Sequence, residues 1–228
     1  MTLAPEDRIK IFRGFFMGYD LRQIVLAAPV ILFSLTVHEY FHAWVADKMG
    51  DPTARLLGRL TFNPIKHLDL FGVLVMIMSQ FRFGWAKPVP INPMNLKNPR
   101  RDDFWISIAG PFSNLGLALI AGTIIRLVGV SGLMDINKGL YLIIENLLVI
   151  NVILAFFNLI PLFPLDGSHI LRSIAPSRYD YYLDQLERIG PILLLGLIAS
   201  GFLFGKSLIW IILGPFVSTV VYLFSGLG

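Results

Sequence analysis

No cysteine occurs anywhere in the chain, which excludes disulfides, thiolate metal sites and a cysteine nucleophile at once. Charge is scarce as well. Asp, Glu, Lys and Arg fill 15% of the 228 positions, against about 25% in a typical soluble domain. No internal repeat, low-complexity tract or second, soluble domain is present, and neither a Gly-rich phosphate loop nor a nucleophilic-serine elbow is found. What remains is greasy: 55% of residues are hydrophobic and the mean hydropathy is +0.69. The composition is that of a membrane protein. A net charge of +4 does not argue for nucleic acid here, because basic residues at the loop ends of such a chain set topology.

Apolar runs of at least about 18 residues are the test for a spanning helix. One lies between Arg22 and Asp47, and others run roughly over 104–125, 140–163, 188–204 and 207–225. The run Phe71–Phe81, FGVLVMIMSQF, has only 11 residues and suits a re-entrant or buried segment better than a crossing. The expectation is an all-α polytopic membrane protein, a single domain over 1–228. It would have five to six transmembrane helices and a short re-entrant or β-like segment between the first and second long spans. The N-terminal stretch MTLAPEDRIKIFRGFFMGYDLRQ is mixed, and the apolar run after it is too long for a cleaved signal, so the first span is expected to be retained.

Prolines at 88, 90, 93 and 99 exclude a helix through the polar stretch 82–103. Thr61–Pro64 and Trp85–Ile91 are candidates for short edge strands at the membrane surface. The alternative is a wandering headgroup-level loop anchored by Trp85 and Arg100–Arg101. Orientation depends on 71–81. If that run is re-entrant, 47–103 and 164–188 share one face and hold twelve of the nineteen Lys and Arg residues, making that face cytoplasmic. If it crosses, the assignment reverses.

Inside the first span lies His38-Glu39-Tyr40-Phe41-His42, an H-E-x-x-H pattern. Residues four apart share a helical face, so both imidazoles reach one metal ion. Glu39 lies one position round, placed to take a proton from a water at the metal's open position. Ionisable residues at such depth cost about 2.5–3.5 kcal/mol on insertion scales and are functional by default. Zinc needs a third protein ligand. Asp166, in 158–170 (NLIPLFPLDGSHI), is the leading candidate because Pro161 and Pro164 break the helix before it; an Asp-Gly turn is the other reading of the same residues.

Several polar residues accompany these. Asn151 and Asn158 are seven apart on one helical face. Asn151 is read as bonding across helices in the bundle interior, while Asn158 is free to aid a scissile carbonyl or hold a ligand. Asn114, after the Gly110-Pro111 kink, faces something polar inside the bundle, in a catalytic or a packing role. His67 and Asp69 are read as a surface pair at a membrane entry point, with metal binding the alternative. His169 either supports Asp166 or faces solvent. Ser34, four before His38, is expected to bond its own backbone.

HExxH in an early span, AGPxxN in a middle one and NxxPxxPLDG in a later one together resemble the site-2 protease family of intramembrane zinc metalloproteases. GDPTA at 50–54, GRLTFNP at 58–64 and FGWAKPVPINP at 83–93 resemble its compact members without PDZ or CBS domains. The resemblance covers about residues 24–175. Ser168 departs from it, standing where a second glycine is common, and no extra helix precedes the HExxH span. The resemblance implies one Zn²⁺ on His38, His42 and Asp166, with Glu39 as general base. It places Asn114 and Asn158 on the family's recurrent asparagines near the catalytic centre. It also implies transmembrane or membrane-anchored protein substrates, and a multi-pass protein of the cell membrane whose active site lies nearer the cytoplasmic face. A zinc-binding transporter and a catalytically inactive scaffold are the competing classes.

Overall fold

A computed structural model describes residues 21–78, 84–204 and 207–227. The N-terminal stretch read above as uncleaved falls outside this range up to residue 20, as do residues 79–81 of the eleven-residue run. Nine α-helices are found among the described residues: α1 Leu21–Met49, α2 Thr53–Leu56, α3 Leu70–Met78, α4 Pro99–Val128, α5 Val130–Ile136, α6 Lys138–Asn158, α7 Asp166–Ile174, α8 Asp180–Phe204 and α9 Leu208–Ser225. Four are long and apolar enough to cross a membrane: α1 from Val25, α4, α6 and α9. The fifth expected span, 188–204, forms the second part of α8 and is not among the four. No strand occurs among the described residues.

Local signals set the helix limits. Pro99 opens α4 at its first position, where a missing N–H costs nothing. Asn137 caps α6 by accepting from Gly139 N and Leu140 N, and Ser207 caps α9. α4 is the hub, packing on α1, α6, α7 and α9. Its Ala118, Ala121 and Ile125 meet Leu148, Val149 and Val152 of α6 and Leu213, Val217 and Val221 of α9 in one buried cluster. Small side chains on α4 permit this close approach, the usual route to helix packing in lipid, where burial of apolar surface supplies little.

The run after Asp69 enters and returns. Asp69 Oδ1 accepts from Gly72 N at 2.8 Å and starts α3. Nine residues make a helix about 13 Å long, less than half of a hydrocarbon core of about 30 Å. The chain on its two sides meets: Lys87 N donates to His67 O at 2.8 Å, and Leu68 and Ala86 form an isolated antiparallel bridge. The segment is therefore re-entrant. The two edge strands are corrected here. Thr61–Pro64 is bends leading into a 3₁₀ turn, and 85–91 is extended chain with that single bridge. Pro88 and Pro90 remove alternate donors, and the N–H groups of Lys87 and Val89 go to different partners.

Beyond Asn158 the chain breaks as its prolines require. Residues 159–165 turn, with a cis Phe163–Pro164 peptide, and α7 begins at Asp166. A side chain at Gly167 would lie 2.4 Å from both the Leu159 and Ile160 carbonyl oxygens. Only glycine lets the turn fold back onto the start of α7, and this contact places Asp166.

Candidate metal centre

Two helices deliver three donor atoms to one point. His38 and His42 project from α1 and Asp166 from the first position of α7. His38 Nε2 and His42 Nε2 are 3.0 Å apart, and Asp166 Oδ2 lies 3.2 Å from the first and 3.4 Å from the second. Ligands held at about 2.0–2.1 Å around tetrahedral zinc stand about 3.3 Å from one another, so the triangle has the size of one face of such a site. Among the described residues this is the one group of three or more His, Cys, Asp or Glu side chains so gathered.

Hydrogen bonding fixes which ring atoms face inward. His42 Nδ1 lies 2.7 Å from Ile106 O, a carbonyl that can only accept, so the proton sits on Nδ1 and the Nε2 lone pair points to the centre. His38 Nδ1 donates to Asn114 Oδ1 at 2.6 Å, with the same result. Two lone pairs and a carboxylate oxygen then converge, and Asp166 Oδ2 is buried with no hydrogen-bond partner. Mutual repulsion at these distances is relieved by a cation between them. The donor set, two neutral imidazoles and one carboxylate with an outer partner on each ring, is one that zinc takes.

The wall opposite α1 is shaped for the same purpose. A Cβ on Gly110 would sit 2.3 Å from His42 Nε2 and 2.6 Å from His38 Nε2. The α4 backbone thus forms the floor of the site at the one residue type that leaves room for it. Pro111 follows inside the helix.

Glu39 does not join the triangle. Its Oε2 accepts from Val89 N at 3.0 Å, which holds the carboxylate beside the returning arm of the re-entrant segment. That arm is itself latched to the end of α1 by Asp51, a fully buried carboxylate. Asp51 accepts from Asn92 N at 2.7 Å, from Asn95 Nδ2 at 2.8 Å and from both Thr53 N and Thr53 Oγ1. Burial disfavours the Asp51 charge, but these donors outweigh it and hold its pKa below the ordinary aspartate value. Neither Val89 nor Asp51 is singled out by residue type. A signal for Asp51 exists in Asp51-Pro52-Thr53, which reads as an Asx turn.

The remaining candidates separate clearly. Asn114 is fully buried and contacts His38 directly through Oδ1, with Nδ2 donating to Asn151 Oδ1 at 2.8 Å. Asn151 bonds across helices as expected, giving Nδ2 to Ser34 Oγ and to Leu147 O. Ser34 therefore receives a bond from another helix. Asn158 is the last residue of α6, and its Nδ2 donates to Leu154 O at 2.9 Å. His67 is not a surface residue: it is buried, with Nε2 2.8 Å from Thr61 O, because the re-entrant arms close over it. Asp69 is spent on capping α3. His169 lies on α7, partly exposed, 3.4 Å from Asp103; that hydrogen bond holds its pKa above the usual imidazole value.

The profile of Peptidase family M50 matches residues 26–140 and 122–185. The chain belongs to peptidase family M50. This M50 chain is 37% identical over 215 residues to a Bacillus subtilis protein named putative zinc metalloprotease YwhC, an alignment covering 93% of this chain and 96% of that one. It is 30% identical over 191 residues to zinc metalloprotease MJ0392 of Methanocaldococcus jannaschii, covering 82% of this chain and 46% of that protein. A Synechocystis protein, putative zinc metalloprotease sll0528, is 33% identical over 163 residues, covering 69% and 36%. The chain thus spans less than half the length of the latter two relatives. No solved structure matches it. Family membership and four apolar helices make this a membrane zinc metalloprotease, and zinc is the metal its donor set fits.

Proposed function

We propose that this M50 protein hydrolyses peptide bonds within or near the transmembrane segments of membrane-protein substrates. His38, His42 and Asp166 would hold the zinc and Glu39 would act as general base. The observation that carries the reading is the depth of the triangle: His38 and His42 lie on the interior face of a helix apolar enough to span. Zn²⁺ held by these residues supplies Lewis-acid polarisation of the scissile carbonyl and activation of the attacking water. Glu39 accepts the proton of that water and returns it to the leaving amine. Asn114 has no donor free for substrate: one amide N–H goes to Asn151 Oδ1, the other faces Ser34 O, and the side chain is fully buried. The oxyanion role is therefore assigned to Asn158, whose second N–H is uncommitted by the bond to Leu154 O. Such a donor is worth about 3 kcal/mol.

An intact substrate helix keeps its carbonyls bonded, so it must unwind before attack, and Gly, Pro or Asn near the cut favours this. The re-entrant course of Leu70–Met78 supports a topology in which 50–69, 84–98 and 164–179 share one face. The excess of Lys and Arg in these stretches supports a cytoplasmic placement of that face and of the mouth of the site. A transporter would want ionisable residues spread along several helices, whereas here one cluster is found among the described residues.

The test uses purified protein with metal analysis and a co-expressed helical substrate. Glu39→Gln retains one zinc per chain and loses cleavage, while His38→Ala, His42→Ala and Asp166→Ala lose zinc. Cleavage by Glu39→Gln overturns the assignment of the base, and zinc retained by all three ligand variants overturns the site.

A further inference from the structure

His42 and His38 are held by different kinds of acceptor. A backbone carbonyl cannot turn round, so Ile106 O fixes the His42 tautomer by itself. An asparagine amide can. Rotating its side chain by half a turn exchanges Oδ1 for Nδ2 with almost no change of shape. If Asn114 turned, it would present an N–H to His38 Nδ1. The ring would answer by moving its proton to Nε2, where an N–H in place of a lone pair cannot bind a cation. Something must hold Asn114 with its oxygen toward the histidine.

The structure assigns that role to Asn151, a positioning residue two hydrogen bonds from the metal site. The polarity can be followed from a fixed end. Leu147 O, one turn back on α6, only accepts, and Asn151 Nδ2 donates to it at 2.8 Å. Asn151 Oδ1 must then face α4, where it accepts from Asn114 Nδ2 at 2.8 Å. Asn114 Oδ1 is left facing His38 Nδ1 at 2.6 Å. Each amide has one orientation that satisfies its neighbours, so a helix carbonyl on α6 dictates which nitrogen of a histidine on α1 meets the metal. Ser34 O, at 3.4 Å from Asn114 Nδ2, is too distant to hold the amide well by itself. Both asparagines and Ser34 are fully excluded from solvent, so no water substitutes.

The inference rests on His38 being a zinc ligand, as proposed above. The test measures the zinc Kd of full-length protein in detergent by competition with a chromophoric chelator, and the visible spectrum of the cobalt-substituted protein. Asn151→Leu, close in volume but without polar atoms, weakens zinc binding about 10–100-fold and alters the cobalt ligand-field bands. Asn151→Asp, which still offers an oxygen to Asn114, stays within about threefold of wild type and keeps the wild-type bands. In an Asn114→Leu background Asn151→Leu has no further effect, because the relay is already cut. Wild-type affinity in Asn151→Leu overturns the relay, as does equal loss in Asn151→Asp or full additivity with Asn114→Leu. His38→Ala run alongside separates the two levels: zinc retained there removes the ligand itself, while zinc lost there but kept in Asn151→Leu removes only the relay.

Discussion

Two places in this protein bury imidazoles almost equally well, and among the described residues only one of them gathers three donors that could hold a metal ion. His38, His42 and His67 are exposed by 4%, 7% and 2%. Each has one ring nitrogen on an oxygen: Asn114, Ile106 and Thr61 respectively. They differ in where the other nitrogen goes. At His38 and His42 it meets a second lone pair and a carboxylate; at His67 it meets no polar partner. Burial and a satisfied tautomer are thus common to His67 and to the α1 pair. Convergence of unshared electron pairs is what sets the α1 pair apart.

The strongest way to break this contrast is to remove one ring from each place. His42→Ala is expected to weaken zinc binding by more than about 100-fold, beyond the range of an outer partner, and to abolish peptidase activity. His67→Ala keeps the metal and shows its loss as a lower melting temperature, read by thermal scans with zinc analysis. Zinc lost from His67→Ala would erase the distinction.

A smaller effect follows from the floor of the site. Gly110→Ala places a methyl group where the ring nitrogens converge, and one ring must shift. Zinc affinity falls about 10–100-fold with an overpacking cost of about 1–3 kcal/mol, measured by chelator competition and thermal unfolding. Normal affinity in this variant means that the rings have more freedom than the distances show.

The smallest effect sharpens the contrast from outside, at the latch beyond α1. Asp51 has a folded pKa below its unfolded one. Its contribution is therefore present above the ordinary aspartate value of about 4 and is lost as pH falls through the lowered folded value. Wild-type melting temperature drops on acidification through that window, and Asp51→Asn flattens this drop while zinc content at neutral pH stays unchanged. An unaltered pH profile in Asp51→Asn would assign the acid sensitivity to other groups.

How much of this was legible beforehand depends on the range of each contact. The shared face of His38 and His42 on α1 follows from helical spacing alone, and Asp166, which the structure brings to them, could be picked out because two prolines force the chain to break beside it. The re-entrant course of Leu70–Met78 was legible from the shortness of its apolar run. What could not be read were contacts made only when distant elements pack. Asn114 and Asn151 sit 37 positions apart, and Asn151 and Ser34 117 apart. Nothing local to Val89 says that its N–H will meet Glu39. The strands at 61–64 and 85–91 failed for the opposite reason: local propensity was present, but prolines left too few donors for a ladder.

The seat of the motif within α1 has an outcome for whatever is cut. His38 lies eleven residues before Met49, about 16 Å along the axis, near the middle of a hydrocarbon layer about 30 Å thick. A chain severed at that depth leaves two stubs of about ten apolar residues, each half the length that stays anchored. Under the proposed activity both halves would lose their hold on the lipid together, and a single hydrolytic event would turn a tethered protein into a free one.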